Sequence, residues 1–453
     1  MYILSADFGT SSVKIAVIDE NIQLLKTARR DYQYKISECN EVEIDIDELE
    51  NAFLEALSDV KEYLPLIGAI SFDAFAPSFI MMDKDGNALH PIVTHLDRRS
   101  RDYTKVIIDA FGKDVYREIT GTLPHSGGVT LTTLLWFKDH KPDLFKKIYK
   151  IGHLTTYLYK RLTGSWGIDV VNASITGMYE TVSEKGWSKY ICETVGVPME
   201  ILPPIKELGT EYARLLPEMA EKMGIKKDIP VVLGTQDVAS ALIGADAKIS
   251  GQTLCISGSS EMISILTDIP VTNDKYYLRA SGIKGLWQVF SITTAGFALE
   301  WFRSEFYKDM SKYDFFNQYL YELLLNRFQT NGVQFLPFLT GDRQSLKKKK
   351  GSFLELTLKT TRDDMLCSLI EGIQKQSKST FDHCEKIIKI KSPMKATGNL
   401  VENSSYLNIK KQLFDHVDIE VIANCPLKGN AIVVIKLLDQ KNGELREESA
   451  LCQ

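Results

Sequence analysis

The stretch Tyr2-Ile-Leu-Ser-Ala-Asp-Phe-Gly-Thr-Ser-Ser-Val-Lys-Ile-Ala-Val-Ile-Asp19 decides the fold of this chain. It contains two apolar runs with the composition of β-strands, joined by a turn of small residues. Gly9 lets the backbone approach an anion without a Cβ in the way, and Thr10 and Ser11 add hydroxyl donors to the N–H groups of the turn. The stretch predicts a phosphate-binding turn, and an ordinary edge hairpin is the alternative.

Two charged residues flank this turn. Lys14 would add positive charge where a phosphate binds. Asp7 supplies a carboxylate, which holds a magnesium ion in many proteins, usually through water. We therefore expect the turn to hold the reacting phosphate together with a metal ion.

The same design returns in Thr253-Leu-Cys-Ile-Ser-Gly-Ser-Ser-Glu-Met-Ile-Ser-Ile-Leu-Thr-Asp268, where Gly9 corresponds to Gly258 and Thr10 to Ser259. Two such hairpins, about one domain length apart, predict a duplicated α/β fold with domains at 1–246 and 247–453. The counterparts of Asp7 and Lys14 in the second hairpin are apolar, so we expect the second half to hold other parts of a nucleotide.

Strand-like and helix-like segments alternate along the chain, which indicates an α/β fold. Residues 143–162, for example, have the apolar spacing of a helix.

Length and composition agree with two domains. At 453 residues the chain exceeds what one core usually supports, and its 44% apolar and 25% charged content is ordinary for a globular protein. A net charge of -5 argues against a nucleic-acid surface. Apolar runs are too short to cross a bilayer, and Met1 leads directly into a strand, so we expect a cytoplasmic protein that does not bind membranes. The cysteines, seven in number and scattered, predict free thiols rather than disulfides or zinc ligands.

A carboxylate follows the strand-like run Ile229-Pro-Val-Val-Leu-Gly234. Asp237 opens a helix of small residues, which lets that helix approach a cleft. One interpretation is a first-turn Asp that only stabilises the helix. The other is a general base that accepts the proton of a substrate hydroxyl as its oxygen attacks phosphorus, and a carboxylate at a helix start can serve both purposes.

Several segments, in their order and spacing, resemble the FGGY family of carbohydrate kinases. The segments that carry this resemblance are DFGTSSVK at 7–14, IDIDELENAF at 44–53, HLDRRS at 95–100, RLTGSWGIDVVNAS at 161–174, GTQDVASALIG at 234–244, ISGSSEMI at 256–263 and FLPFLTGDRQ at 335–344. Nearly the whole chain takes part. The resemblance implies two duplicated actin-like (ribonuclease H-like) ATPase domains with an interdomain cleft, in which ATP and a sugar meet.

The resemblance also assigns roles to single residues. It implies that Asp237 is the base, and it implies contacts to the sugar from Ala76, Pro77, Ser78, Asp97 and Arg98, to phosphate from Thr10 and Ser259, and to adenosine from Gly398 and Asn399. Polyols are recognised by carboxylates and forked guanidinium groups, which His95-Leu-Asp-Arg-Arg99 offers. A surface ion-pair patch is the alternative for this cluster.

The expected function is ATP- and Mg²⁺-dependent phosphorylation of a sugar or polyol, with a ketopentose such as xylulose favoured and a homodimer compatible with the sequence. Two departures bear on this. Ketopentose kinases of the family usually carry Met-His-Gly where this chain has Ala76-Pro77-Ser78, and the usual glycine run of the adenosine motif is replaced by Thr397-Gly-Asn-Leu-Val-Glu-Asn403. The alternatives are a catalytically weakened sugar-binding or regulatory member of the family and an actin-like ATPase.

Overall fold

The structure, a computed structural model, describes residues 1–37, 41–210, 212–342, 346 and 348–451, the last eleven of these by their backbone. The chain forms two compact units. Unit 1 comprises Met1–Asp246, Arg279–Gly285 and Cys425–Gln453, and unit 2 comprises Ala247–Leu278 and Leu286–Asn424. The predicted domains, 1–246 and 247–453, therefore differ from the units in two segments, which return to unit 1 from the second half of the sequence.

Unit 1 alternates strands and helices. Its strands are β1 (Tyr2–Phe8), β2 (Ser12–Ile18), β3 (Leu24–Asp31), β4 (Tyr34–Ile36), β5 (Val42–Ile44), β6 (Ile67–Ala74), β7 (Ser78–Met82), β8 (Ile92–Thr94), β9 (Lys150–Gly152), β10 (Ile168–Asp169), β11 (Ile205–Lys206), β12 (Tyr212–Arg214), β13 (Pro230–Val232) and β14 (Thr235–Gln236). Its helices before residue 246 are α1 (Ile46–Ser58), α2 (Tyr103–Phe111), α3 (Lys113–Thr120), α4 (Thr130–His140), α5 (Pro142–Phe145), α6 (Leu154–Thr163), α7 (Val170–Ile175), α8 (Lys189–Val195), α9 (Pro217–Met223) and α10 (Asp237–Gly244).

The main sheet of unit 1 has the strand order β12-β13-β6-β1-β2-β3, and β14 also pairs with β6. β1 runs antiparallel to β2 and parallel to β6, which places Asp7 between Lys14 and Asp73 in register. β14 lies parallel to β6 with Thr235 opposite Asp73. Because parallel strands end at the same edge of a sheet, the residues after β1, β6 and β14 meet there. A second sheet has the order β4-β5-β8-β7-β9.

Between Ala247 and Asn424 the chain repeats this plan. The strands are β15 (Thr253–Ser257), β16 (Ser260–Thr267), β17 (Tyr277–Ala280), β18 (Trp287–Thr294), β19 (Gln334–Leu336), β20 (Ser352–Leu354), β21 (Met394–Thr397) and β22 (Ile419–Val421), and the helices are α11 (Gly296–Phe306), α12 (Lys312–Asp314), α13 (Leu320–Asn326), α14 (Arg362–Cys384), α15 (Asn399–Glu402) and α16 (Ser404–Leu413). The main sheet has the order β17-β18-β16-β15-β21-β22.

Strand directions confirm the predicted duplication. β15 pairs antiparallel with β16 and parallel with β21, as β1 does with β2 and β6. β16 pairs antiparallel with β18, as β2 does with β3. The second turn is one residue shorter, since residues 9–11 separate β1 from β2 whereas Gly258 and Ser259 alone separate β15 from β16. The prediction of two related α/β units, each with a small-residue turn, is therefore correct.

The terminal helix α17 (Cys425–Leu451) belongs to unit 1 because its apolar face covers the main sheet there. Leu427 and Val434 pack in one buried cluster with Ile3 and Ala69. Burial of this kind stabilises the fold by roughly 1.5 to 3 kcal/mol for each large aliphatic side chain. No helix within the described ranges is long and apolar enough to cross a membrane.

One secondary-structure prediction is wrong. The apolar spacing of residues 143–162 predicts a single helix, but the structure has α5, then the strand β9, then α6 in this range. β9 pairs with β7, with Ile151 opposite Met81, so a tertiary strand pairing overrides the local helical pattern. Of the cysteines, those that are buried thiols outside any disulfide are Cys192, Cys255, Cys367, Cys384 and Cys425, whereas Cys39 and Cys452 lie outside the described residues.

Candidate active site

The first turn, at residues 9–11, is closed by backbone hydrogen bonds and by Tyr32. The Gly9 N–H donates to the Ser12 carbonyl at 2.9 Å, and Tyr32 donates its N–H to the Ser11 carbonyl at 3.0 Å and its hydroxyl to the Gly9 carbonyl. Gly9 does not adopt a left-handed φ, and a Cβ added there would lie 3.3 Å from the Ser12 carbonyl oxygen. Backbone conformation therefore does not require glycine here, and the close contact with Ser12 is the one steric reason that the fold gives for it. Thr10 and Ser11 complete the turn and are half-buried.

Three carboxylates lie at the edge where β1, β6 and β14 end. Asp7 is the last residue but one of β1, Asp73 is its register partner on β6, and Asp237 is the first residue of α10 immediately after β14. The Oδ1 atom of Asp237 accepts the Val238 N–H at 2.8 Å, which fixes the orientation of the carboxylate. Its other oxygen, Oδ2, does not take part in this bond. The structure thus brings together the predicted metal residue and the predicted base, and it adds Asp73.

All three carboxyl groups have raised pKa values. Burial, followed by the charge of Asp7, raises the pKa of Asp237 to about 7, against the opposing effects of the Val238 N–H and the positive charge of Arg279. Burial, followed by the charges of Asp7 and Asp237, raises the pKa of Asp73 well above its ordinary value. Burial also raises the pKa of Asp7, although Lys14 lowers it. A carboxyl with a pKa near 7 is suited to general-base catalysis at neutral pH.

These residues fit a hydrated divalent cation better than a directly bound one. Within the described ranges, no group of three or more His, Cys, Asp or Glu side chains is arranged to hold a metal ion. Mg²⁺ keeps several of its waters in proteins, and a carboxylate can hold such a hydrated ion through them. Asp7 is half-buried rather than enclosed and lies beside the turn. A positive ion near it would relieve the repulsion among the carboxylates.

A buried polar network supports the segment before Asp237. The Thr235 hydroxyl donates to Asp169 Oδ2 at 2.7 Å, and Asp169 also accepts the Val171 N–H at 3.1 Å and so begins α7. Asn172 donates to the other oxygen of Asp169 at 2.6 Å and accepts from His153 at 2.8 Å. Burial raises the pKa of Asp169 to about 6 and lowers that of His153 to about 4. The network holds β14 in place and is itself out of reach of substrate.

A buried guanidinium lies near the predicted base. Arg279, which is 4% exposed, belongs to the short segment that returns to unit 1, and its charge lowers the pKa of both Asp237 and His153. The Ser174 hydroxyl oxygen on α7 accepts the Ala280 N–H at 3.2 Å, which anchors this segment. Arg279 therefore brings positive charge to the base from a distant part of the sequence.

The first predicted sugar segment directly follows β6. Ala76 is half-buried, Pro77 is buried, and the two are joined by a cis peptide bond. The Ser78 hydroxyl oxygen accepts the Leu154 N–H at 3.0 Å at the start of α6, so this side chain has a structural partner. Of these three residues, Ala76 is the one that faces solvent in part.

The second predicted sugar segment lies beside the first. Phe75 and His95 make an edge-on ring contact with centroids 5.8 Å apart, and Ser78 pairs with Thr94 across β7 and β8. The resemblance assigns both segments to one ligand, and the structure places them next to each other. Neither strand alone indicates this proximity.

Asp97 is buried and forms its hydrogen bonds with other groups of the protein. It is 1% exposed, and its oxygens accept the Val42 N–H at 2.7 Å, the Arg99 N–H at 2.9 Å and the Arg99 guanidinium at 2.8 Å. Arg99 also pairs with Glu43 and lies over the Trp136 ring at 5.2 Å. Asp97 and Arg99 therefore form a buried ion pair rather than the surface patch of the alternative, and the contact of Asp97 with a sugar stays a prediction. Arg98 is half-buried and donates to the His95 carbonyl at 2.9 Å.

In unit 2 the predicted phosphate and adenosine residues meet. The N–H of Gly296, which begins α11, donates to the Gly258 carbonyl at 2.9 Å, and Ser259 is exposed at the tip of the turn. Gly398 has φ +104°, and a Cβ there would lie 2.4 Å from the Ser257 carbonyl oxygen, so only glycine lets the two turns touch. Asn399 follows, exposed, at the start of α15. Arg343 and Gln344 of the predicted C-terminal signature lie outside the described residues.

A buried ion pair lies beneath this second turn. Lys410 on α16 and Glu261 on β16 are both 0% exposed and hydrogen bonded to each other. Tyr406 donates its hydroxyl to the other Glu261 oxygen at 3.3 Å. The thiol of Cys255, whose pKa burial raises to about 12, lies 3.6 Å from the Lys410 ammonium. This cluster links α16 to β15 and β16, the two strands that flank the turn at Gly258.

Sequence reasoning missed Asp73, Arg279 and a third residue, Asn430 on α17. The sequence did contain a signal for Asp73, because a buried carboxylate in the mostly apolar run 69–75 is costly unless it has a partner. Arg279 and Asn430 had none, since their partners are far away in the sequence. Asn430 is 2% exposed and donates to Asp73 at 2.6 Å.

Comparisons with known proteins by sequence and by structure both identify carbohydrate kinases as relatives. Residues 2–244 match the N-terminal domain of the FGGY family of carbohydrate kinases. The chain is 25% identical over 423 residues to a xylulose kinase of Bacillus subtilis, covering 91% of this chain and 83% of that protein. It is also 25% identical over 390 residues to a gluconokinase of the same bacterium, covering 82% and 74%. The ligand-bound xylulose kinase of Lactobacillus acidophilus superposes with a TM-score of 0.86 at 22% identity, over 97% of this chain and 90% of that one.

Proposed function

Because this chain belongs to the FGGY family of carbohydrate kinases and is an ATP-dependent sugar kinase, we propose that Asp237 is its general base and that the turn at Gly9 holds the transferred phosphoryl group. The observation that carries this proposal is the position of Asp237 at the start of α10, beside Asp7, with a pKa of about 7. The same carboxylate at its ordinary pKa would be a weaker base.

The proton transfer uses one carboxylate oxygen. The sugar O–H gives its proton to the Asp237 oxygen that does not accept the Val238 N–H, while the sugar oxygen forms a bond to the γ-phosphorus and the bond to the ADP oxygen breaks. The turn N–H groups, the hydroxyls of Thr10 and Ser11 and the Lys14 ammonium would bind the phosphoryl oxygens, on which negative charge is spread. Mg²⁺, when bound near Asp7, would supply further charge neutralisation at the phosphates.

The nucleotide would be held by unit 2. Gly258 and Ser259 are proposed to contact its phosphates, and Gly398 and Asn399 its adenosine, because Ser259 and Asn399 are exposed and the close contact of Gly398 with Ser257 places the two turns side by side. A Cβ added at Gly258 would meet no atom within 4 Å, so the space beside it is available. Leu400, at a position where the family usually has glycine, is half-buried beside the adenosine turn.

For the acceptor we propose a ketopentose such as xylulose, with Ala76 and Arg98 as contacts and with Asp97 holding the segment in place. The continuous similarity to a xylulose kinase supports this substrate. A sugar acid such as gluconate is the second candidate. Arg279 favours it, because a buried guanidinium near the base would pair with the carboxylate of an aldonate.

A coupled assay of ADP release with xylulose, gluconate, glycerol and a panel of pentoses and hexoses tests the proposal. We expect turnover that depends on one of these acceptors and on Mg²⁺, with the Asp237→Asn variant as the inactive control. Acceptor-independent ATP hydrolysis would favour the actin-like ATPase. Sugar binding without turnover would favour the weakened, regulatory member of the family.

A further inference from the structure

Asn430 on the terminal helix contacts all the elements that carry the three carboxylates. Its amide nitrogen donates to Asp73 Oδ2 on β6 at 2.6 Å and to the Ala6 carbonyl on β1 at 3.2 Å. Its amide oxygen accepts the Ser240 hydroxyl of α10 at 2.8 Å. Ala6 precedes Asp7, and Ser240 is one helical turn beyond Asp237. One side chain thus connects the supports of the predicted metal residue and of the predicted base.

Two glycines make this contact geometry feasible. A Cβ at Gly429 would lie 1.9 Å from the Ser240 carbonyl oxygen, and a Cβ at Gly244 would lie 1.9 Å from the Cys425 carbonyl oxygen. Any larger residue at either position would push α17 away from α10. The two helices therefore approach at backbone distance, and that approach brings the short Asn430 side chain to Asp73.

Asp73 cannot be a direct ligand contact, because it is 0% exposed. It lies next to Asp7, its register partner on the neighbouring strand. Its Oδ2 accepts a hydrogen bond from Asn430, so Asp73 stands between the terminal helix and Asp7. Residues that orient a metal-binding carboxylate in this way commonly change metal affinity by about 10- to 100-fold when they are removed.

We propose that Asn430 is a positioning residue of the phosphoryl-transfer site: its amide, through Asp73 and Ser240, sets the spacing between Asp7 and Asp237. The inference rests on the proposed kinase function and extends it to the end of the chain. In this proposal α17 orients residues of the active site in addition to packing against the main sheet of unit 1.

Stability alone does not account for this arrangement. A buried amide and a buried carboxylate are costly to desolvate, and well-packed apolar pairs of similar volume are often equally stable or more stable. One turn further along α17, Val434 packs in an apolar cluster that includes Ile3. The polar pair of Asn430 and Asp73 occurs at the turn of α17 that lies against the carboxylates, where Asn430 can orient them.

The test compares Asn430→Ala with Val434→Ala, a control that removes buried volume from the same helix without touching the carboxylates. We expect Asn430→Ala to lower kcat roughly tenfold with the sugar KM within about twofold, and to weaken the Mg²⁺-dependent part of ADP binding, measured by calorimetry with and without Mg²⁺, by roughly 10-fold or more. Val434→Ala should lose thermal stability and keep both properties. The calorimetric readout needs no sugar, so it decides the inference even where the proposed acceptor is wrong.

A double-mutant cycle then separates positioning from general destabilisation. If Asn430 acts through Asp73, the Asp73→Ala/Asn430→Ala double variant should be no slower than Asp73→Ala alone. Asp73→Asn, which retains the volume of the side chain and an oxygen that can accept from Asn430, should keep more activity than Asp73→Ala. Multiplicative losses in the double variant, or an Asn430→Ala protein that differs from Val434→Ala in neither kcat nor the effect of Mg²⁺, would overturn the proposal.

Discussion

Asp237→Asn should remove catalysis and stabilise the protein at the same time. The amide has the shape of the carboxylate, and its oxygen can still accept the Val238 N–H that now lies 2.8 Å from Oδ1. Burial and the charge of Asp7 raise the pKa of Asp237 from 3.8 to about 7. A pKa difference of about three, at about 1.36 kcal/mol for each tenfold change in proton affinity, corresponds to roughly 4 kcal/mol by which the ionised carboxylate opposes folding.

The sign of this effect sets the pH window. Because the folded pKa lies above the unfolded one, the native state binds more protons between about pH 4 and pH 7, and the contribution of Asp237 to stability falls as the pH rises through that range. We therefore expect the Asp237→Asn substitution to raise the free energy of unfolding by its largest amount near pH 8, and by less than about half as much near pH 5. Guanidinium unfolding at both pH values measures the gain, and a coupled assay should show turnover reduced by roughly a hundredfold or more.

A matched substitution provides the control. Asp47 is an exposed acid in the first turn of α1, so Asp47→Asn removes the same charge from a similar helix position without a buried partner. It should leave turnover unchanged and give no gain in stability that grows with pH. An Asp237→Asn protein with near wild-type turnover would refute the role of Asp237 as base, and one without added stability at about pH 8 would refute the electrostatic repulsion inferred at the site.

Three further outcomes are expected. The pH profile of kcat/KM should rise with a slope of about one through about pH 7, because Asp237 must lose its proton to act as base; a flat profile from about pH 5 to 9 would contradict this. Gly258→Ala should weaken ATP binding in equilibrium titrations without lowering the melting temperature, since no atom lies within 4 Å of the added Cβ. Gly398→Ala should lower both the affinity for ATP and the melting temperature, because its Cβ would lie 2.4 Å from the Ser257 carbonyl oxygen. Lys410→Met should cost about 3 to 5 kcal/mol in chemical denaturation by leaving Glu261 buried without its cation, and adding Glu261→Gln should recover most of that loss; additive losses would show that the pair is not coupled.

The fold was largely predictable because its signals are local. Each hairpin is indicated by two apolar runs and a turn of small residues, and a repeat of that pattern indicates duplication without any knowledge of distant contacts. The range 143–162 shows the limit of such signals. Its apolar spacing suits a helix, yet Lys150–Gly152 becomes a strand because β7 offers it a partner, which no local pattern records.

The site was predictable only in part, for the same reason. Asp7 lies near the end of one recognisable strand and Asp237 shortly after another, so each could be placed near the end of a strand. Asn430 and Asp73 are separated by 357 positions, and their contact depends on how α17 packs against the sheet. The family resemblance assigns Asp97 to the sugar, but which of two adjacent arginines pairs with it depends on the fold, and the fold gives it Arg99.

The two hairpins share a backbone design but differ in where their charged residues lie. In unit 1 the charged pair of the hairpin, Asp7 and Lys14, is half-buried beside the turn, where it can interact with a ligand. In unit 2 the hairpin carries its carboxylate at Glu261, which is fully buried and neutralised from within by Lys410. A buried carboxylate that is already paired with a lysine can hold neighbouring elements together, but it is not accessible to a phosphate or a metal ion. The arrangement of charge, more than the shared backbone, therefore favours the first hairpin for the reacting phosphate and the second for the remainder of the nucleotide.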